Sequence, residues 1–483
     1  MSKSLKLNAF FNVVRNVLRL IFPLITFPYV SRVLMPEGIG KVNFANSIVM
    51  YFYTIASLGI GSYGIREAAK IRNDRLALAK FTKEMLSINM VSTLVSYILL
   101  AASLVFVKKF ESYRILIIVN SSSIILNTIG FEWLYSALEE YGYITLRSII
   151  FQIVSLALTF ILVRNSDDVV NYALVSVISN VGSNVCNLIH ARRYLDLKTK
   201  VKLEIKKHLK PIFLLFFSSI AITVFSILDT SMVGFIKDDV EVGYYTSASK
   251  IIRMIRDLFP AISTVMFARV SYYVGTKETQ KIKEVTGQIF NLFYALSIPI
   301  CMGFILLMKP ILLLMCGSEF LPAVAVGQVL APLVILSSIS GYLSGAVLIS
   351  FGREKIYMYV EVGAALLDIV LNFVFIPKYG ALGAGIATLI TELVMFIVFH
   401  ISVKNEISGV KIKKALVQYI IGSLIMALAV YMEIKYLPLS PILQILLGAV
   451  SGALIYFVIL VIMKNEFLQS SLNNLKLKIG AHK

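Results

Sequence analysis

Apolar runs, each about as long as a helix that crosses a bilayer, recur along the whole chain, and short polar connections separate them. Windows of roughly 20 residues place fourteen spans, at 9–33, 42–65, 85–107, 115–137, 144–163, 169–190, 211–236, 242–268, 285–308, 325–350, 357–376, 380–403, 415–436 and 441–463. The pattern predicts an all-α integral membrane protein of about 14 transmembrane helices. It also repeats. A shift of 203 residues carries Gly40 onto Gly243, Ala45 onto Ala248, Ile48 onto Ile251 and Arg66 onto Arg269, and span five meets span eleven at an offset of 213. Six spans, an even number, separate the copies, so the repeats run parallel in the membrane about an axis near its normal. The expected organisation is a six-helix bundle over 1–190, a basic cytoplasmic linker over 191–210 and a second six-helix bundle over 211–403. Helices 13 and 14 and a cytoplasmic tail follow over 404–483.

Composition agrees with the pattern. Of 483 residues, 58% are hydrophobic and 15% are charged, and the mean hydropathy is +0.83. A net charge of +19 would suggest nucleic acid in a soluble protein. In a membrane protein it follows instead from the excess of cations in cytoplasmic loops. With the N-terminus inside, about 30 of the 46 Lys and Arg fall in cytoplasmic segments and about 8 in outer loops. That asymmetry predicts a multi-pass protein of the cytoplasmic membrane with both termini in the cytoplasm. The basic loops Arg66–Glu84 and Ala191–Lys210 read first as topology signals and second as contacts with anionic membrane lipids. Cys186, Cys301 and Cys316 show no metal spacing and no disulfide framework. The first apolar run carries arginines and no small-residue cleavage site, so no cleavable signal peptide is expected.

Two stretches break the apolar rule. Gly243–Val270 has the length of a spanning helix but holds Lys250, Arg253, Arg256 and Asp257. The three cations form one slanting row, and Arg253 and Asp257 are i,i+4 neighbours. In the first span Asn8, Asn12, Arg15, Asn16 and Arg19 share one face, which Thr26 continues. An Arg or Lys at the centre of a membrane helix costs roughly 3 kcal/mol. Five facing lipid (Arg15, Arg19, Lys250, Arg253 and Arg256) would cost on the order of 15 kcal/mol, as much as a whole domain's stability. The expectation is that both faces point into a cavity. The plainer alternatives are snorkelling to headgroups and an interfacial amphipathic helix, and Arg32, off the polar face, reads as an interfacial anchor. Carboxylates at membrane depth, Asp229, Asp257, Glu361, Asp368 and Glu392, with Glu132 near a helix end, are either functional or members of structural pairs. Pro23, Pro28, Pro260, Pro299 and Pro332 allow bending. No Walker motif is present, so direct coupling to ATP is not expected.

Span one running into FPYVSRVLMPEGIGKVNFANS, the end of span two as LGIGSYGIREAAK, and NFVFIPKYGALGAGIAT from Asn372 to Thr388 resemble the polysaccharide transporter (Wzx-type) flippases. Those belong to the superfamily that includes MATE drug exporters and lipid II flippases. The resemblance covers nearly the whole chain. It implies two six-helix bundles around a central cavity, alternating access, and movement of undecaprenyl-pyrophosphate-linked oligosaccharide units from the inner to the outer leaflet, alongside polysaccharide polymerase machinery. A cationic cavity suits a pyrophosphate, because Arg binds phosphate oxygens in pairs. The resemblance further implies coupling to a sodium or proton gradient through helices seven, eleven and twelve, which here carry Asp229, then Asp368 and Asn372, then Thr388. Carboxylate, amide and hydroxyl oxygens are ligands for a hard cation such as sodium. No other cofactor is expected.

Two other readings compete with this one. A MATE-type drug exporter binds cationic amphiphiles, and two cationic helices argue against it. A membrane polymerase or glycosyltransferase would carry a large outer loop or paired surface carboxylates. The longest outer loop here, about Lys309 to Val324, holds a single carboxylate, Glu319, and Asp238, Asp239 and Glu241 have no evident catalytic partner. The expectation is a transporter and not an enzyme.

Overall fold

A straight helix of 53 residues would be about 80 Å long, well over twice a ~30 Å hydrocarbon core. The first helical element, α1 (Leu5–Ser57), has that many residues. The computed structural model resolves the conflict by breaking α1 into two arms at Met35, whose φ of 58° lies in the left-handed region. The arms run in opposite senses. Tyr29 near the end of the first donates to the carbonyl of Val163 at 2.8 Å. The second descends past the helix 75–106, with Ser96 and Asn89 donating to the carbonyls of Phe52 and Ala56. The structure describes residues 5–192, 194, 202–410, 412–470 and 473, with backbone alone at 5–10, 12, 13, 15–20 and 218.

The chain packs as two units, Met1–Gly243 and Tyr244–Lys483. In the first, α1 is the centre. Around it lie α2 (Ile60–Lys70), α3 (Arg75–Phe106), α4 (Arg114–Thr128), α5 (Glu132–Ala137) and α6 (Tyr141–Leu162). Then come α7 (Val169–Val177), which runs into a π-helical turn at 178–182, α8 (Asn184–Ala191) and α9 (Lys206–Ile236). Helices α3, α4, α6 and α9 all pack on α1. The helix α9, first of the second sequence repeat, therefore packs within the first unit. The helix α10 (Asp239–Arg256) begins in the first unit and continues into the second.

The second unit continues with α11 (Phe259–Gly275), α12 (Thr279–Met315), α13 (Ala323–Leu330) and α14 (Leu333–Tyr342), which ends in a π-helical turn at 343–348. After it come α15 (Glu354–Ser402), α16 (Lys404–Ile407), α17 (Lys413–Tyr436) and α18 (Pro441–Ile462). Like α1, α15 is a hairpin. It turns at Gly380, where φ is 55°, and a Cβ at Gly383 would stand 2.3 Å from the carbonyl oxygen of Phe375. Only a residue without a side chain allows that approach. At the open end Arg353 donates to the carbonyl of Ser402 at 3.0 Å and pairs with Glu406. Helices α17 and α18 pack on each other and on α12.

The repeat is visible in the first unit. The break at Met35 in the first copy corresponds to the break at 237–238 between α9 and α10. Past these breaks, a Cβ at Gly40 would meet the carbonyl oxygen of Asp239 at 1.7 Å, and one at Gly243 would meet that of Pro36 at 2.1 Å. Pro36 and Asp239 are themselves partners under the 203-residue shift, so the crossing is reciprocal. Ala45 and Ala248, and Ile48 and Ile251, are buried alike.

The protein is all-α, with no strand among the described residues, and ten helical stretches there are long and apolar enough to cross a membrane. The fourteen windows do not map onto these one to one. The window at 115–137 is interrupted at 129–131, where Phe131 is left-handed with φ 44°. The window at 242–268 is charged and breaks at 257–258. Pro260 explains that second break: its ring displaces the carbonyl of Arg256, four residues back, and it brings no N–H to bond it.

Candidate functional site

The break after Arg256 frames a cavity. Helix α10 ends at Arg256 and α11 restarts at Phe259. Opposite them α14 gives way to its π-helical turn at 343–348, a departure that often marks functional sites. Between these two irregularities lies a cavity of about 460 Å³ whose lining includes Arg256, Ser263, Thr264, Phe267, Ser337 and Ser338. Gly341 and Gly345 form another wall, and a Cβ at either would meet nothing within 4 Å. The site thus offers one guanidinium with the Asp257 carboxylate beside it, four hydroxyls, an aromatic face and free space. The guanidinium is a planar fork suited to a phosphate, and the hydroxyls can donate to or accept from sugar oxygens.

The cations of α10 differ in their surroundings. Lys250 is half-buried, Arg253 is exposed and Arg256 half-buried. Among the described residues no carboxylate lies within 4.0 Å of Arg253, and the one near Arg256 is Asp257, at 3.9 Å and 54% exposed. The i,i+4 pairing of Arg253 with Asp257 is therefore absent, because the helix ends between them. Glu392, on the second arm of α15, forms no ion pair within 4.0 Å of Arg256. Its carboxylate is 6% exposed and accepts a hydrogen bond at 3.0 Å from Ser337 of the cavity wall. Arg15 and Arg19 lie on the first arm of α1, and their side chains lie outside the described residues. Arg32 is exposed and donates to the carbonyl of Pro28 at 3.0 Å, consistent with an anchor.

The coupling-ion candidates separate. Asp368 and Asn372 are fully buried on the first arm of α15, and the Asn372 amide donates to Asp368 at 3.0 Å. The threonine that joins them is Thr391, whose hydroxyl donates to the other carboxylate oxygen at 3.2 Å. Thr388 donates instead to the carbonyl of Ala384 at 2.9 Å and lies 3.3 Å from the Tyr245 hydroxyl. Asp229 is buried in the first unit, near Tyr51 and Ser231. Carboxylate, amide and hydroxyl oxygens gathered at Asp368 fit a hard monovalent cation in donor chemistry. Among the described residues there is no group of three or more His, Cys, Asp or Glu that could hold a metal ion.

Two buried polar clusters escaped the reading of the sequence. Arg147, 5% exposed on α6, donates at 3.0 Å both to the carbonyl of Ser183 and to the Asn184 side chain, just beyond the π-helical turn of 178–182. A lone arginine in an apolar window is the signal that was there to be used. His208, at the start of α9, lies 2.8 Å from Glu84 and 2.7 Å from the Tyr63 hydroxyl, and the Glu204 N–H donates to Glu84 at 2.8 Å. Those partners are over a hundred residues apart and left no local pattern.

Comparison with known proteins places these features in a family. The profile described as "Polysaccharide biosynthesis protein" matches residues 5–273, and that described as "MatE" matches 215–374. A putative O-antigen transporter of Escherichia coli (strain K12) is 23% identical over 409 residues, covering 83% of this chain and 97% of that protein. A probable low-salt glycan biosynthesis flippase of Haloferax volcanii, Agl15, is 25% identical over 240 residues, half of each chain. Among solved structures, the lipid II flippase MurJ in an inward closed conformation matches with a TM-score of 0.67 at 18% identity, over 93% of this chain and 99% of that one. An inward-facing MATE family multidrug resistance transporter matches with the same score at 15% identity, over 83% and 99%.

Proposed function

The chain belongs to the polysaccharide biosynthesis protein family, and we propose that it is a flippase, moving lipid-pyrophosphate-linked oligosaccharide units between the leaflets of the cytoplasmic membrane by alternating access. The observation that carries this reading is a cation at the edge of a largely hydroxyl-lined cavity: Arg256 beside some 460 Å³ of space, with only the exposed Asp257 near it, and Arg253 one turn away with no carboxylate of the described residues within 4.0 Å of Arg253. A cation at membrane depth is costly unless a partner or water compensates it, and an anionic headgroup is such a partner. The relatives support the substrate class: one is named an O-antigen transporter and another a glycan biosynthesis flippase. A drug exporter of cationic amphiphiles would place a like charge against its substrate, and the transporter relatives favour carriage over polymerisation or glycosyl transfer.

In this reading the pyrophosphate binds the forked guanidiniums of Arg253 and Arg256, assisted by Lys250, and the cations of the first arm of α1, Arg15 and Arg19, serve the same anionic substrate. The proximal sugar meets the hydroxyls of Ser263, Thr264, Ser337 and Ser338. The polyprenyl tail stays in lipid, so the oligosaccharide is not dragged through hydrocarbon, where each unsatisfied polar group costs several kcal/mol. The distribution of Lys and Arg supports an orientation with both termini in the cytoplasm. Asp368 and Asn372 would hold the coupling cation, with Thr391 orienting the carboxylate.

The test is transport of a fluorescent lipid-linked oligosaccharide in proteoliposomes, together with surface polysaccharide in cells. Arg256→Ala and Arg253→Ala should each lower transport by at least tenfold at unchanged protein level, and Lys at these positions should restore only part of it, because an ammonium lacks the planar fork. Normal transport by the double variant Arg15→Ala, Arg253→Ala would refute the reading.

A further inference from the structure

The second unit holds another cavity, at the end where α12 and α17 begin and α18 finishes. It measures about 860 Å³, within the range of small-molecule sites. One wall is α12, with Gln288 and Asn291. A second is the start of α17, with Lys413, Lys414 and Gln418, and the third is the segment after α18, with Glu466. Hydrogen bonds tie these walls together. Asn291 accepts from the Tyr419 hydroxyl of α17 at 3.0 Å. Gln418, 7% exposed, donates to the Met463 carbonyl at 2.8 Å and accepts from the Asn465 amide at 2.7 Å. The Asn465 side chain in turn accepts from the Leu468 N–H at 3.0 Å. The space is therefore framed by fixed side chains. Asn291 and Gln418 each keep a second amide hydrogen beyond the one they donate to a carbonyl.

Positive charge gathers at one edge. Among the described residues no carboxylate lies within 4.0 Å of Lys413. Lys414 meets Glu466 at 2.9 Å, but the two side chains are 75% and 81% exposed, and a pair so solvated holds its members weakly. Helix α17 also starts without a cap. Its N-cap is Ile412, with no side-chain hydrogen bond, so the N–H groups of the first turn add partial positive charge beside the lysines. From Lys413 onward one face of the helix turns apolar: Val417, Ile420, Leu424 and Leu428 are exposed and follow Lys413 at helical spacing. With 24 residues α17 is long and apolar enough to cross a membrane, and an exposed apolar face on such a helix meets acyl chains.

We propose that this cavity binds the phosphodiester headgroup of an anionic membrane phospholipid, whose acyl chains lie along the apolar face of α17. The lysines and the start of the helix take the phosphate, and the amides of Gln288, Asn291 and Gln418 take ester and glycerol oxygens. Two features select this class. A zwitterionic headgroup would bring its own cation beside two lysines, and a free anion would make no use of the apolar face. Basic pockets between spanning helices on the cytoplasmic side suit anionic headgroups, and the orientation proposed above puts this end there. The lipid would bridge α12, α17 and the segment after α18, and so fasten the two helices outside the repeat to the second unit. This site requires α17 to cross the membrane and is independent of which substrate the protein carries.

The experiment titrates phosphatidylglycerol, phosphatidylcholine or inorganic phosphate into the delipidated full-length protein in neutral detergent. Native mass spectrometry reads bound lipid, and thermal melting reads protection. Phosphatidylglycerol should bind and raise the melting temperature, whereas the other two at equal concentration should not. Replacing both Lys413 and Lys414 by Ala should weaken phosphatidylglycerol binding about twentyfold, roughly fivefold for each cation near the membrane surface, and Arg at both positions should restore it. A control pair, Lys206→Ala with Lys207→Ala, removes two exposed lysines of the basic linker and should leave binding unchanged. Ala415→Trp keeps both cations but fills part of the cavity that Ala415 lines, and should also weaken binding. Equal losses in the two lysine pairs, or full binding by Ala415→Trp, would reduce the effect to general surface charge and overturn the proposal. Protection by inorganic phosphate equal to that by phosphatidylglycerol would overturn the lipid assignment, and unaltered binding without Lys413 and Lys414 would overturn the site.

Discussion

The reciprocal glycine crossing permits a sharp test of how closely the two sequence copies are fitted. Placing a methyl at Gly40 puts its carbon 1.7 Å from the Asp239 carbonyl oxygen, and at Gly243 2.1 Å from that of Pro36, whereas ordinary contact begins near 3.4 Å. The obstacle in both cases is backbone, so no side-chain rotation relieves it. The second arm of α1 and the start of α10 must separate by well over 1 Å at that point. Overpacking typically costs about 1–3 kcal/mol, and a backbone-to-backbone clash belongs at the top of that range. Gly40→Ala should therefore lower the apparent melting temperature in detergent by several degrees, and Gly243→Ala by somewhat less. Because both methyls press on one crossing, opening it for the first makes room for the second, and the double variant should lose less than the two singles added together. Gly363→Ala is the control. It lies on α15, where a Cβ would meet nothing within 4 Å, and Ala in a helix is favoured over Gly by about 1 kcal/mol. Melting of Gly40→Ala indistinguishable from that control, or strict additivity in the double variant, would refute the close-crossing argument.

Two further outcomes follow from the buried polar groups. His208→Ala leaves the Glu84 carboxylate, 1% exposed, without one of its partners, and breaking a buried pair in this way costs about 3–5 kcal/mol; a thermal melt should show a loss several times larger than that of Lys207→Ala, its exposed neighbour. Asp368→Asn should abolish the dependence of transport on an ion gradient at normal expression, and Thr391→Val should weaken it more than Thr388→Val, since only the Thr391 hydroxyl reaches the carboxylate; equal effects of the two threonine variants would count against the assignment.

How far the sequence reached can be judged residue by residue. Hydrophobic runs were enough for the all-α membrane class, because chain length and apolarity are local properties. The 203-residue shift was legible in few identities, yet two of them, Gly40 and Gly243, prove to sit at a reciprocal crossing of its copies. The break at 257–258 was foreshadowed by Pro260, but the run of apolar residues on either side disguised it as one span. Thr388 and Thr391 are separated by a single helical turn and share a face, so a helical wheel cannot tell which of them meets Asp368; only the register of the two arms of α15 decides it. Glu392 was recognisable as a carboxylate at membrane depth, but its hydrogen bond from Ser337 depends on how α14 and α15 approach each other, which no periodicity encodes. His208 and Glu84 were hidden for the same reason.

The single-residue turn at Met35 bears on how the chain enters the membrane during synthesis. The first arm of α1 carries Arg15 and Arg19, each a charge of roughly 3 kcal/mol to a helix inserting alone. The second arm follows after one left-handed residue, with no separate loop between them, and carries the apolar stretch from Ile48 to Ile55. An insertion machine that handled the arms one at a time would have to commit the charged arm first. With so short a turn the two are delivered together, and the apolar arm can shield the charged one from lipid until later helices arrive. Lengthening the turn would uncouple them, making the earliest segment of the chain the one most prone to be left outside the bilayer.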